Sequence, residues 1–132
     1  MTMSIHTMPD YCLAVCLDKP DQSHCYTVYF INNSPFVVKN LRYSTGGSAT
    51  FDEIVVTTSI YSRTFGDVAP YSHIEIETND DEDFEFSISY DFDFEIEQTP
   101  VTRNFMIGKR LRGGYRFFGP MPYLNMPGRM FK

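Results

Sequence analysis

Tryptophan is absent from this chain of 132 residues, and cysteine and histidine occur three times each. Cys12, Cys16 and Cys25 are odd in number and follow no disulfide framework, which excludes a stapled secreted scaffold and fits a reducing compartment. His6, His24 and His73 leave little imidazole for catalysis. His73 follows Tyr71 and Ser72 at the start of an alternating stretch, but no nucleophile elbow or triad spacing surrounds it. No run reaches the ~20 apolar residues needed to cross a bilayer as a helix. The start "MTMSIHTMPD" lacks the basic and apolar regions of a secretory signal, so a cytoplasmic protein is expected. Phosphate loops and dinucleotide fingerprints are missing too. Together these absences point away from an enzyme and imply no cofactor.

Positive charge is scarce in one part of the chain. Residues 1–97 hold Lys19, Lys39, Arg42 and Arg63 against all 17 acidic residues, a balance of −13. Residues 98–132 hold Arg103, Lys109, Arg110, Arg112, Arg116, Arg129 and Lys132 and no acid, a balance of +7. The overall −6 therefore conceals an acidic body, residues 1–97, and a basic aromatic tail, residues 98–132.

Phenylalanine and tyrosine are plentiful, at 12 and 9 residues, and the hydrophobic share of 42% excludes general disorder. Aromatic and β-branched enrichment favours strands. "HCYTVYFI" (24–31) reads as a strand, "NNSP" (32–35) as a turn and "FVVKNLRYS" (36–44) as the next strand. "TGGS" (45–48) reads as another turn, followed by one strand or a bent pair over 49–65. "YCLAVCLD" (11–18) fits a short buried strand. A helix over 8–17 is the alternative, because Met8, Tyr11, Cys12, Val15 and Cys16 recur at helical spacing. "HIEIET" (73–78) alternates, and "DFEFSISYDFDFEIE" (83–97) alternates throughout. Phe84, Phe86, Ile88, Tyr90, Phe92, Phe94 and Ile96 fall on one side of it, acids and serines on the other. Strands seldom exceed ~10 residues, so a bend is expected near Ser87–Tyr90. Many short strands without helical crossovers predict an all-β fold, an antiparallel β-sandwich or partly open barrel.

The stretch "LAVCLDKPDQSHCYTVYFINNSPFVVKNLRYS", residues 13–44, resembles an uncharacterised β-domain found in bacterial chains that also carry an Smr domain. The shared elements are the "LAV" strand, the Pro-Asp turn and the pattern Y-x-V-Y-F-I-N-N-S before an apolar strand. The resemblance implies a β-sandwich without catalytic residues. The Smr domain is absent here, so it implies no nuclease activity.

If 73–78 and 83–97 pair as a hairpin, Glu85 lies opposite Glu75 or Glu77, and Asp91, Asp93 and Glu95 extend an acidic strip. Like charges ~5 Å apart cost about 0.8 kcal/mol even in water, so such a strip calls for a basic partner. The tail is a candidate. Val101, Phe105, Met106 and Ile107 begin a set of 14 apolar residues among its 35, too many for a solvated arm. Arg103, Arg110, Arg112 and Arg116 would meet carboxylates while Tyr115, Phe117 and Phe118 are buried against the sheet. The leading expectation is a non-catalytic interaction or assembly module whose tail docks on an acidic surface in the same subunit or in a second copy. A binding domain that takes a basic peptide or protein on the strip is the alternative. Nucleic acid contacted through "RGG" (112–114) and its neighbouring rings is disfavoured, because the −13 body repels phosphate. Zinc at Cys12 and Cys16 would require the helix, and "NDDED" (79–83) lacks the order of a calcium loop. No metal is therefore expected.

Overall fold

A computed structural model describes residues 9–16, 25–51, 54–57, 61–80, 87–108, 115–117 and 128–132. They form an all-β, two-sheet sandwich that does not close into a barrel, with no helix among the described residues. The strands are β1 (Tyr11–Cys16), β2 (Cys25–Asn32), β3 (Val38–Phe51), β4 (Ile54–Thr57) and β5 (Tyr61–Val68). They continue with β6 (Ser72–Asp80), β7 (Ser87–Ile96), β8 (Thr99–Ile107), β9 (Tyr115–Phe117) and β10 (Gly128–Phe131). Sheet one runs β6-β2-β1-β10-β9. Sheet two is built on the long β3, with β7 and then β8 along one side. Along its other side, β5 covers the first part of β3 and β4 the last. Every pairing is antiparallel.

The apolar faces of the two sheets meet. Leu13, Val15, Val28 and Phe30 of sheet one pack on Val38, Leu41, Tyr43, Tyr90, Phe92 and Phe105 of sheet two. Phe92 is the hub. Its ring centroid lies 5.0 Å from Phe30, 5.4 Å from Tyr43 and 5.7 Å from Phe105. Each such buried side chain contributes roughly 1.5–3 kcal/mol, so the period-2 aromatic run of β7 holds much of the sandwich together. β1 is buried on both faces, since Cys12, Ala14 and Cys16 are as inaccessible as Leu13. Its short continuous apolar run, the spacing that also fitted a helix, is that of a central strand.

Several expectations change. "TGGS" is not a turn but part of β3, where Gly46 pairs Ser89 and Gly47 pairs Ile88. The ladder to β7 overrides the turn preference of glycine. The β7–β8 pairing is unbroken from Ile88 to Ile96, so the bend expected near Ser87–Tyr90 is absent. The irregularity lies instead in β3 between Lys39 and Arg42, where Asn40 has φ 55° and faces β5 near Gly66, at φ 91°. The proposed hairpin of 73–78 with 83–97 does not form either. β6 pairs β2 in sheet one, while β7 lies between β3 and β8 in sheet two.

The described residues of 98–132 are woven into both sheets of the same chain. β8 joins sheet two, and β10 pairs β1 in sheet one, with Met130 and Phe131 buried. The β7–β8 connection is a two-residue hairpin in which Ile96 pairs Thr99 and both Glu97 and Gln98 have positive φ, at 48° and 69°. Two successive left-handed residues define a type I′ turn, whose twist suits a hairpin.

Both sides of sheet two carry an arginine on the inner face. Arg63 of β5 pairs Tyr43, lies 4.9 Å over the Phe65 ring and donates to the Ile76 carbonyl at 2.9 Å. Arg103 of β8 pairs Phe92 and lies 5.7 Å over the Tyr11 ring of the opposing sheet.

Candidate interaction surface

The acidic residues predicted to form one strip occupy three places. Asp91, Asp93 and Glu95 stand on the outer face of β7, alternating with the buried Tyr90, Phe92 and Phe94. Asp91 is exposed and the other two are half-buried. Neighbouring strands hold all three in place. Asn104 Nδ2 donates to Asp91 Oδ1 at 2.7 Å, and Thr102 Oγ1 donates to Asp93 Oδ1 at 3.0 Å. On the other side, Asn40 Nδ2 donates to Glu95 Oε2 at 2.7 Å. In register, Arg42 of β3 stands opposite Asp93, and Lys39 opposite Glu95. Cross-strand partners of opposite charge or with hydrogen-bond donors offset the repulsion along β7.

Glu75 is on the far side of the molecule. It pairs Tyr29 and shares the outer face of sheet one with His73, whose ring meets Tyr29 edge-on at 5.5 Å. Glu77, two residues on, should by alternation point the same way. It does not, because the β2–β6 ladder shifts between Val28 and Tyr29. Val28 pairs Glu77 and Tyr29 pairs Glu75, leaving Ile76 as the extra residue. Such a bulge re-aims the side chain that follows it. Glu77 turns into the sandwich, where Tyr90 Oη donates to Oε1 at 2.5 Å and Tyr43 Oη donates to Oε2 at 3.1 Å. Arg63 meets the carbonyl of the bulged Ile76. One carboxylate thus ties sheet one to two strands of sheet two through charge-assisted bonds.

Glu85, Arg110, Arg112 and Phe118 lie outside the described residues, as does most of "NDDED". Tyr115, Arg116 and Phe117 are the three residues of β9, with Arg116 in register with Arg129 of β10. Arg103 was expected to face the acidic strip. It belongs to the strand next to β7 but points to the opposite face, because it pairs Phe92 and not Asp91 or Asp93. Among the described tail residues, Thr102 and Asn104 meet the strip with a hydroxyl and an amide.

Sequence reasoning also passed over Asn32. Its fully buried side chain donates to the carbonyls of Phe36 at 2.8 Å, Ala69 at 3.0 Å and Val68 at 3.3 Å. Its Oδ1 accepts from Ser34 N at 3.1 Å and Ser34 Oγ at 2.7 Å. The "NNSP" signal marked a turn, and local side-chain bonds are part of it. The long-range bonds to Val68 and Ala69 join that turn to the β5–β6 connection. Cys12, buried on β1, has its thiol pushed up to about 12 from 9.0 by desolvation, which makes it inert as a nucleophile.

No family model, curated protein or solved structure matches this chain.

Proposed function

We propose that this protein is a non-catalytic interaction module that receives a basic segment of another protein on the outer face of sheet two. The observation that carries the reading is the β7 strip. Asp91, Asp93 and Glu95 stand in fixed register on a solvent-facing sheet, while Arg103, the tail cation nearest to them in sequence, faces the other way. Successive outward residues on a strand are ~6.6 Å apart, matching the outward spacing of a peptide in extended conformation. Each lysine or arginine brought within ~4 Å of one carboxylate gains about 1 kcal/mol in a water-like dielectric. The attraction weakens as salt shortens the screening length to ~8 Å at physiological ionic strength.

The test is a titration of the full chain with a flexible Arg/Gly peptide, followed by amide chemical shifts at low and high salt. Binding should centre on residues 89–95 and weaken with salt. D91N/D93N/E95Q should abolish it, while Glu75→Gln on the opposite face should leave it intact. Equal binding by the triple variant, or a response confined to sheet one, would refute the assignment.

A further inference from the structure

At one end of the sandwich the β2–β3, β5–β6 and β7–β8 connections come together, and this end concentrates two unusual properties. Three of the exposed large apolar residues lie there: Phe36 (41% exposed), Val37 (37%) and Tyr71 (53%). Tyr71, Glu97, Gln98 and Asn40, the non-glycine residues with positive φ among those described, also lie at or next to it. Tyr71 has φ 51° directly after Pro70, in the turn position where glycine is the default. Holding a tyrosine there costs about 1–2 kcal/mol that glycine would avoid. More than half of Tyr71 is exposed, so packing within the chain offsets only part of this cost. Asn32 makes the platform rigid, since it donates at once to the Phe36 carbonyl and to the Ala69 carbonyl two residues before Tyr71.

The electrostatic setting identifies what the platform fits. Asp10, whose carbonyl accepts from Asn33 N at 2.7 Å, adjoins the Phe36 loop. Asp67 and Glu95 stand beside it, each receiving one bond from Asn40, and Glu97 is exposed in the β7–β8 turn. Four acids thus adjoin the apolar group, with Lys39 in register with Glu95. Glu95 is also the last residue of the β7 strip. The acidic strip therefore leads directly onto the apolar end.

We propose that Phe36, Val37 and Tyr71 form an anchor site for an apolar side chain carried by the basic segment that lies on Asp91, Asp93 and Glu95. The ligand is a peptide in which lysine or arginine alternates with glycine or other small residues and ends on leucine or phenylalanine. This assignment rests on the reading of the β7 strip given above. A small, preorganised aromatic platform suits one buried side chain, and the acids around it exclude an anionic partner.

The experiment compares two synthetic peptides on the full chain: Arg/Gly alone, and the same peptide with a terminal Leu-Phe. The second should bind about tenfold or more tightly, with new amide shifts at Phe36, Val37 and Tyr71. Tyr71→Gly separates fold from function. It should raise Tm by relieving the left-handed tyrosine, and it should remove the tenfold gain while binding of the Arg/Gly peptide is unchanged. Phe36→Ser should also remove the gain. If the two peptides bind equally, or if Tyr71→Gly keeps the full gain, the anchor site is refuted while the strip stands. If neither peptide shifts the β7 amides, the strip fails and the anchor site with it.

Discussion

Replacing Tyr90 by phenylalanine removes one oxygen and nothing else from the centre of the sandwich. The ring of Tyr90 is fully buried and remains so in the variant, which opens no cavity of methylene size. What is lost is the 2.5 Å bond to Glu77 Oε1 that joins β7 to β6. A hydrogen bond to a charged group is worth about 1.5–3 kcal/mol. Glu77 is only half-buried, so water takes up part of the vacated acceptor. The expected loss is therefore about 2 kcal/mol, nearer the lower end of that range. Unfolding entropy near 60 °C scales with length, so each kcal/mol moves Tm by roughly 3–4 °C in a chain of this size. Tyr90→Phe should lower Tm by about 7 °C, and Tyr43→Phe, whose bond is 3.1 Å, by about half as much. In a double-mutant cycle, Tyr90→Phe and Glu77→Gln should couple by about 1–2 kcal/mol in urea unfolding. A Tyr90→Phe protein within ~0.5 kcal/mol of wild type, or strictly additive variants, would show that the carboxylate does not tie the sheets together.

The β7–β8 turn holds two side chains in the left-handed region, so Glu97→Asn with Gln98→Gly should stabilise the chain by about 1–2 kcal/mol, read as a higher urea midpoint with unchanged slope. Asn32→Asp keeps an acceptor for Ser34 but turns a carboxylate on three carbonyls. It should cost more than Asn32→Ala, itself about 3 kcal/mol, and chemical denaturation would rank them. Cys12 ionises near 9 when unfolded and at about 12 when folded. Its contribution is constant below pH 9 and is lost between pH 9 and about 12, where only the unfolded chain gains from ionising. Stability in that alkaline window should fall less steeply in Cys12→Ala, and iodoacetamide should label Cys12 only at the rate of unfolding.

Much of the fold was legible because binary patterning dominates it. The alternation of β7 named the inward Ile88, Tyr90, Phe92 and Phe94 against the outward Asp91, Asp93 and Glu95, and the short apolar run of β1 gave a strand. What alternation cannot reveal is a register shift in a neighbouring strand. Nothing in "HIEIET" marks Ile76 as the extra residue, so Glu77 read as a surface acid when it is an internal tie. The β7–β8 turn was equally hidden, since Glu97-Gln98 lacks the Asn-Gly signature of a type I′ hairpin. Missing that turn made residue 98 look like the start of a separate tail. The same error sent Arg103 to the wrong face. A strand that follows a two-residue hairpin inherits its facing from the turn, and Thr102 and Asn104 inherited the outer face. The platform at Phe36 and Tyr71 had a partial signal in "NNSP" and in the proline before Tyr71, but the contact between the two loops runs through a single long-range amide.

The inward arginines of β5 and β8 have a consequence for how copies of this molecule can meet. A strand added beside β8 would turn the place of Arg103 from a wet margin into sheet interior, and one added beside β5 would do the same to Arg63. Sealing a guanidinium there costs several kcal/mol unless a carboxylate comes with it. Continuous sheets across molecules, the route to ribbons and fibrils, are thus discouraged on both flanks of sheet two. An aromatic-rich sandwich with strand edges on both flanks of a sheet would otherwise be prone to such growth. These two side chains act against edge-to-edge growth without touching the outer face that carries Asp91, Asp93 and Glu95.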